Sequence, residues 1–266
     1  MKRPPLRTSV VVGLGLLIAG LAACAGPRQL ARVPESPVVP VAVGISNAYL
    51  ILGERVALVD PGPEGETDAL EAALMAHGRT WADVSVVVLT HGHADHAGGA
   101  AEAARLADAP VVAGEADLDM LRAGDHGHLT PMGIEAAMIR PFLRASFPPV
   151  EPEITLAAEP GRTSLDLSRF GVDALVFLAP GHTPGSLAVL VGEGSGTPEA
   201  IVGDAFRGGA MGGRIRPQTP YRHYFHEDAE RAEALVPAML RRGVTRFFVG
   251  HGGPVSAEVA RARFAQ

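Results

Sequence analysis

Three features predict a layered α/β domain. Short apolar runs of strand length alternate with helical stretches, they do so in two similar halves, and residues of metal-ligand type stand where strands stop. With 266 residues, 47% of them hydrophobic, the chain can bury one good-sized core, so one folded domain is expected.

Val38–Val43, Ala48–Leu52 and, after a Gly53-Glu54 turn, Val56–Val59 read as meander strands ending at Asp60-Pro61-Gly62. Leu70, Leu74 and Met75 recur at helical spacing within Thr67–His77. Val84–Leu89 (VSVVVL) is an apolar run of strand length, as expected of a central strand covered on both faces. Gly98–Ala107 is an alanine-rich helix, Pro110–Val112 a short strand, and Ile134–Phe147 an amphipathic helix interrupted by Pro141. Strands return at Ser164–Leu167, Ala174–Leu178, Leu187–Val191 and Ile201–Val202. A helix from about Asp228 to Arg242 stops at Gly243 and leads into strand Arg246–Val249, and Ser256 caps a last helix.

Before the domain, Lys2, Arg3 and Arg7 precede the apolar run Val10–Gly20, the pattern of a secretory signal and short for a membrane span. Leu21-Ala22-Ala23-Cys24 resembles the lipobox of bacterial lipoproteins, which implies cleavage before Cys24 and a lipid anchor on it. By the same resemblance, Ala25 after the cysteine directs the protein to the periplasmic face of the outer membrane. The expected plan is a signal peptide over 1–23, a flexible Pro- and Arg-rich tether over 24–40 and a folded domain over 41–266.

Composition excludes several chemistries. Lys2 is the only lysine and Cys24 the only cysteine, so the mature domain has no Schiff-base amine, no internal disulfide and no cysteine zinc cluster. The net charge of −6 falls to −9 without the leader, 20 basic residues against 29 acidic. With no clustered basic face, nucleic acid is not an expected partner.

The chemistry lies in Thr90–Gly99, THGHADHAGG. Residues two apart in an extended segment point the same way, so His91 and His93 can hold one metal while Asp95 and His96 face a second. An HxHxDH string arises by chance in roughly one chain in 10³ of this composition, which makes it a signal rather than noise. His182 in APGHTPGS, Asp204 in IVGDAF and His251 in FVGHGG follow, each at the end of an expected strand. His77, His223 and His226 read as solvated or hydrogen-bonded histidines. His126 and His128 share the HxH spacing, but no third or fourth ligand follows them nearby, and they are candidates for part of the substrate rim or an extra metal site.

This series of motifs, from about Val43 to Pro254, resembles the metallo-β-lactamase superfamily. The resemblance implies a four-layer αββα sandwich of two related halves with a dinuclear metal site at one edge. It makes His91, His93 and His182 ligands of one ion, Asp95, His96 and His251 ligands of the other, and Asp204 the bridge. Asp60 then corresponds to the supporting aspartate behind the HxHxDH loop.

Nitrogen and oxygen ligands without thiolate suit two divalent ions, zinc by preference in an exported protein, with iron or manganese as alternatives. Two such ions generate hydroxide at neutral pH and polarise the bond to be cleaved, and Asp95 orients that nucleophile and serves the leaving group. Asp204 at the bridging place resembles the glyoxalase II and lactonase branches, whereas true β-lactamases of the superfamily carry cysteine or serine there. The expected activity is hydrolysis of a small ester, thioester, lactone or amide, with Gly124–Met132 and Gly208–His226 as walls for the small-molecule substrate. The alternatives are an oxidoreductase like the mononuclear-iron persulfide dioxygenases, or a lipoprotein that binds metal without turnover.

Overall fold

The computed structural model describes residues 30–31 and 33–265, so the leader, the lipobox and Cys24 lie outside the described residues. The first half forms one six-stranded sheet in sequential order: β1 (Val38–Val43), β2 (Ser46–Leu52), β3 (Val56–Val59), β4 (Val84–Val88), β5 (Val111–Gly114) and β6 (Ile154–Leu156). β1 to β3 are an antiparallel meander, and β3 to β6 pair in parallel. The strands β7 (Ser164–Asp166), β8 (Ala174–Leu178), β9 (Leu187–Val191) and β10 (Glu199–Ile201) begin the second sheet. A hairpin of β11 (Arg207–Ala210) and β12 (Ile215–Tyr221) follows, and β13 (Arg246–Phe248) and β14 (Val255–Ser256) complete the sheet in the order β14-β13-β10-β9-β8-β7.

Strand alternation divides the apolar side chains among three interfaces, which makes four layers. Val56 and Leu58 of β3 face the helices α1 (Thr67–Ala76), α2 (Ala94–Ala97) and α3 (Ala100–Ala107), packing with Leu70, Leu74, Ala100 and Ala103. Ala57 and Val59, one residue out of phase, join Val86 and Val88 against Val176, Leu187, Val189 and Phe248 of the second sheet. The outer face of that sheet, through Leu190, Ala200 and Phe247, packs on two C-terminal helices at Val236, Met239 and Ala260. The fold is therefore the αββα sandwich, and Val84–Val88 is apolar throughout its core positions because both faces are covered.

Two short helices, α4 (Leu118–Ala123) and α5 (Ile134–Ile139), precede β6, and α6 (Ala229–Arg241) and α7 (Ala257–Phe264) form the outer layer. The expected caps are present: the Asp228 side chain accepts from Arg231 N, the Ser256 side chain accepts from Val259 N, and Gly243 follows α6 at φ +83°.

Several local expectations are corrected. The tether does not reach Pro40, because Val38 is buried and already pairs with Ile51 in β1. The helix expected over Ile134–Phe147 ends at Ile139, and Pro141 lies in a single 3-10 turn over Arg140–Phe142. That segment is not a core-facing amphipathic helix either: Ile134 and Phe142 are exposed while Phe147 is buried. Gly208–His226, expected as a loop walling the substrate, is largely the β11/β12 hairpin, held to the His251 loop by Gly208 N to His251 O at 2.8 Å and Gly253 N to Pro217 O at 2.8 Å.

Candidate metal centre

The strands that meet at one edge of the sandwich release their chains into the site. Asp60 follows β3, the HxHxDH loop follows β4, His182 follows β8, Asp204 follows β10 and His251 follows β13. The two sheets are locked at this edge by Asn47 Nδ2, which donates to Val249 O and Gly252 O at 2.7 Å each, and by Leu187 N donating to Thr90 O at 2.6 Å.

All seven residues expected as ligands converge. Ligand atoms of His91, His93 and His182 form one group, those of Asp95, His96 and His251 another, and within each they lie no more than 4.8 Å apart. Asp204 stands between the groups: its Oδ2 is 3.8 Å from His91 Nε2, 3.6 Å from both His96 Nε2 and His182 Nε2, and 3.4 Å from His251 Nε2. Asp60 supports the loop from behind, accepting from Thr90 N at 2.7 Å, Thr90 Oγ1 at 2.6 Å and His96 Nδ1 at 2.9 Å.

The imidazole orientations follow from these partners. His91 Nδ1 contacts Thr90 Oγ1 at 3.0 Å, His182 Nδ1 donates to Phe225 O at 2.9 Å and His251 Nδ1 to Ile45 O at 2.9 Å. With each Nδ1 turned outward to an oxygen, the Nε2 atoms face inward. His91 Nε2, His96 Nε2 and Asp204 Oδ1 are buried with no hydrogen-bond partner, a costly arrangement unless another group satisfies them. That donor set, imidazole nitrogens and carboxylate oxygens without sulfur, fits divalent metal ions.

Charge is distributed unevenly. Burial, reinforced by neighbouring imidazoles, holds His91 and His182 well below the usual histidine value, and burial takes His93 down to about 3, so these three rings are neutral lone-pair donors. Burial also pulls on His96 and His251, but the carboxylates of Asp204 and Asp95 outweigh it, raising His96 well above normal and His251 to about 9. Burial would raise Asp204, yet His223, His251 and His96 hold it far down as a carboxylate. The Asp95 side chain keeps 27% of its surface accessible, more than its partners, and marks the open side of the site.

Two further residues belong here that the sequence did not single out. Asp117, 1% exposed, accepts from Gly92 N at 3.0 Å, Thr183 Oγ1 at 2.7 Å and Gly185 N at 2.8 Å, tying the HxHxDH loop to the His182 loop. His223, read above as an ordinary histidine, is buried, with Nε2 3.2 Å from Asp204 Oδ2. His226 and His126 are also buried at the periphery, their rings 5.3 Å from His182 and 5.4 Å from His93. His128 is exposed, 3.5 Å from Arg140, and His77 bonds to Ala73 O on α1.

A model of the metallo-beta-lactamase superfamily matches residues 41–251, most of the chain. The chain belongs to the metallo-beta-lactamase superfamily. Among solved superfamily structures, the Rm3 metallo-beta-lactamase superposes with a TM-score of 0.57 at 21% identity, covering 82% of this chain and 76% of that one. TTHA1623, solved in a di-iron-bound form, superposes with a TM-score of 0.57 at 27% identity, covering 85% of this chain and 98% of that one. Among curated relatives, the probable metallo-hydrolase MJ0888 of Methanocaldococcus jannaschii is 26% identical over 145 residues, 54% of this chain and 62% of the relative. A hydroxyacylglutathione hydrolase of Anaeromyxobacter dehalogenans is 35% identical over 140 residues, 52% of this chain and 38% of the relative. The chain thus spans less than two thirds of the curated relatives it matches.

Gly250 shows how tightly the superfamily edge is built. A Cβ there would sit 2.0 Å from Asp204 Oδ1 and 2.6 Å from His96 Cε1. Gly250→Ala is therefore expected to displace the carboxylate and weaken metal binding by about 10-fold or more, read by competition with a chromophoric chelator.

Proposed function

We propose that the protein is a dinuclear metallohydrolase acting on a small ester, thioester, lactone or amide. The observation that carries this reading is Asp204 Oδ2 set among inward-facing imidazoles of both ligand groups. His91, His93 and His182 would hold one divalent ion, Asp95, His96 and His251 the other, with Asp204 shared, and zinc is the ion proposed. Bound there, the ions would acidify water to supply a nucleophile and polarise the carbonyl under attack.

The chain's own residues would do the rest. Asp60 fixes the His96 ring, Phe225 O the His182 ring and Ile45 O the His251 ring. Asp95 Oδ2 lies 3.3 Å from His251 Nε2, and the partly accessible carboxylate would orient the nucleophile and pass a proton to the leaving group. The two expected substrate walls join each other: Met132 N donates to Tyr224 O at 2.8 Å and His226 N to Thr130 O at 3.2 Å. Leu129, Ala136 and Phe225 make a small apolar core within this cap, suited to shielding a small substrate from water. The partial match to a hydroxyacylglutathione hydrolase supports a thioester or ester branch.

Export and lipidation at Cys24 are proposed from the leader pattern alone. Among the described residues, no helix is long and apolar enough to cross a membrane.

Elemental analysis of the purified protein, paired with thioester, lactone, phosphodiester and β-lactam substrates before and after chelation, tests the reading. About two zinc ions per chain and hydrolysis that chelation abolishes and zinc restores are expected. One iron per chain with oxygen uptake and no hydrolysis would replace it with an oxidoreductase, and tight metal binding without turnover would leave a binding protein.

A further inference from the structure

We infer that His223 is a metal ligand, its Nε2 an eighth donor of the centre proposed above, on whose metal-binding reading this inference rests. Four of the expected ligands share one arrangement. His91, His96, His182 and His251 each place Nδ1 against an oxygen, of Thr90, Asp60, Phe225 and Ile45 respectively, and turn Nε2 toward Asp204 Oδ2. An outward N–H anchored on oxygen with the opposite nitrogen directed inward is the usual signature of a ligating histidine.

His223 shows the same signature. Its Nδ1 is 3.2 Å from Phe225 O, and its Nε2 is 3.2 Å from Asp204 Oδ2, nearer than any of the other four. A carbonyl oxygen has two lone pairs, so Phe225 O can accept from both His182 and His223 and orient two rings at once. The ligand atoms of His182, Asp204 and His223 all lie within 4.8 Å of one another, as in the two groups already described. The ring is held on both sides, stacked on His251 at 5.4 Å and 18° and edge-on to His182 at 4.8 Å. With 6% exposure it has little water to solvate a free nitrogen.

The competing arrangement reverses the protons. Phe225 N can donate to His223 Nδ1 at 3.3 Å, which would put the ring proton on Nε2 and make His223 a hydrogen-bond donor to Asp204. The pattern common to the other four rings favours the ligand. A glutamine separates the two cases, because its amide can donate to Asp204 as well as an imidazole N–H does but is a much weaker donor to zinc or cobalt than an imidazole nitrogen.

The test uses the full-length protein with His223→Ala and His223→Gln. Zinc is titrated in competition with a chromophoric chelator, cobalt(II)-loaded samples are compared by visible absorption, and circular dichroism verifies folding. Both variants are expected to lose about 10- to 100-fold in affinity for at least one ion and to change the cobalt spectrum. Wild-type affinity with an unchanged spectrum in His223→Gln would overturn the inference, whatever happens to turnover, and would make the ring a hydrogen-bonding residue. If His223→Ala fails to fold, the glutamine variant decides alone. Wild-type protein that takes up no metal would sink the parent reading as well, whereas normal wild-type binding with unaffected variants sinks only this one.

Discussion

Asp204→Asn should lower turnover by at least about 10³-fold, equivalent to roughly 4 kcal/mol of transition-state stabilisation, and reduce bound metal from the proposed two ions per chain to one or fewer. The substitution keeps the shape of the side chain and removes its charge. Its Oδ2 is the oxygen that the Nε2 atoms of His91, His96, His182, His223 and His251 approach to between 3.2 and 3.8 Å, so no local rearrangement of one ring replaces it. Elemental analysis and steady-state kinetics on the same samples read the outcome, with thermal unfolding to establish that the variant is folded. Two retained ions and unchanged turnover would refute the bridging role.

Asp117→Ala should cost about 2 kcal/mol of stability or more and loosen the site from a position whose hydrogen bonds go to the loops and not to a proposed ligand side chain. Removing the carboxylate strands Gly92 N and Gly185 N in the interior, each buried unsatisfied group costing about 1–3 kcal/mol, while Thr183 Oγ1 keeps Ser186 Oγ at 2.8 Å. For a domain of this size that corresponds to a melting temperature lower by roughly 4 °C or more. Burial pushes the Asp117 carboxyl up, against the pull of its three hydrogen bonds. Asp117→Asn, which keeps one carbonyl oxygen, should recover part of the loss. A melting temperature unchanged in the alanine variant would show that water or a backbone shift satisfies the two backbone donors.

Much of the fold was legible because its signals are local. Val84–Val88 could be placed as a buried strand from an apolar run with helices to either side, and Asp228, Gly243 and Ser256 mark helix ends through contacts within a few residues of themselves. The weaker expectations failed where local preference met tertiary demand. Proline and glycine in Gly208–His226 suggest an open loop, yet bonds to the Gly252 region hold much of it as a hairpin with a bulge near Gly209.

The sequence by itself determined the layered α/β plan in two similar halves, the HxHxDH loop and the residue types brought to its metal-binding edge, because strand periodicity and close motif spacing are properties of short segments. Only the tertiary structure decided which nitrogen each imidazole presents, since Thr90, Asp60, Phe225 and Ile45 set the rings from separate parts of the chain. It also brought in His223 and Asp117. Neither belongs to a spaced motif, and each acquires its role through contacts that fold closure alone creates: His223 with Asp204 across the hairpin, and Asp117 with Thr183 and Gly185 from the opposite half of the sandwich.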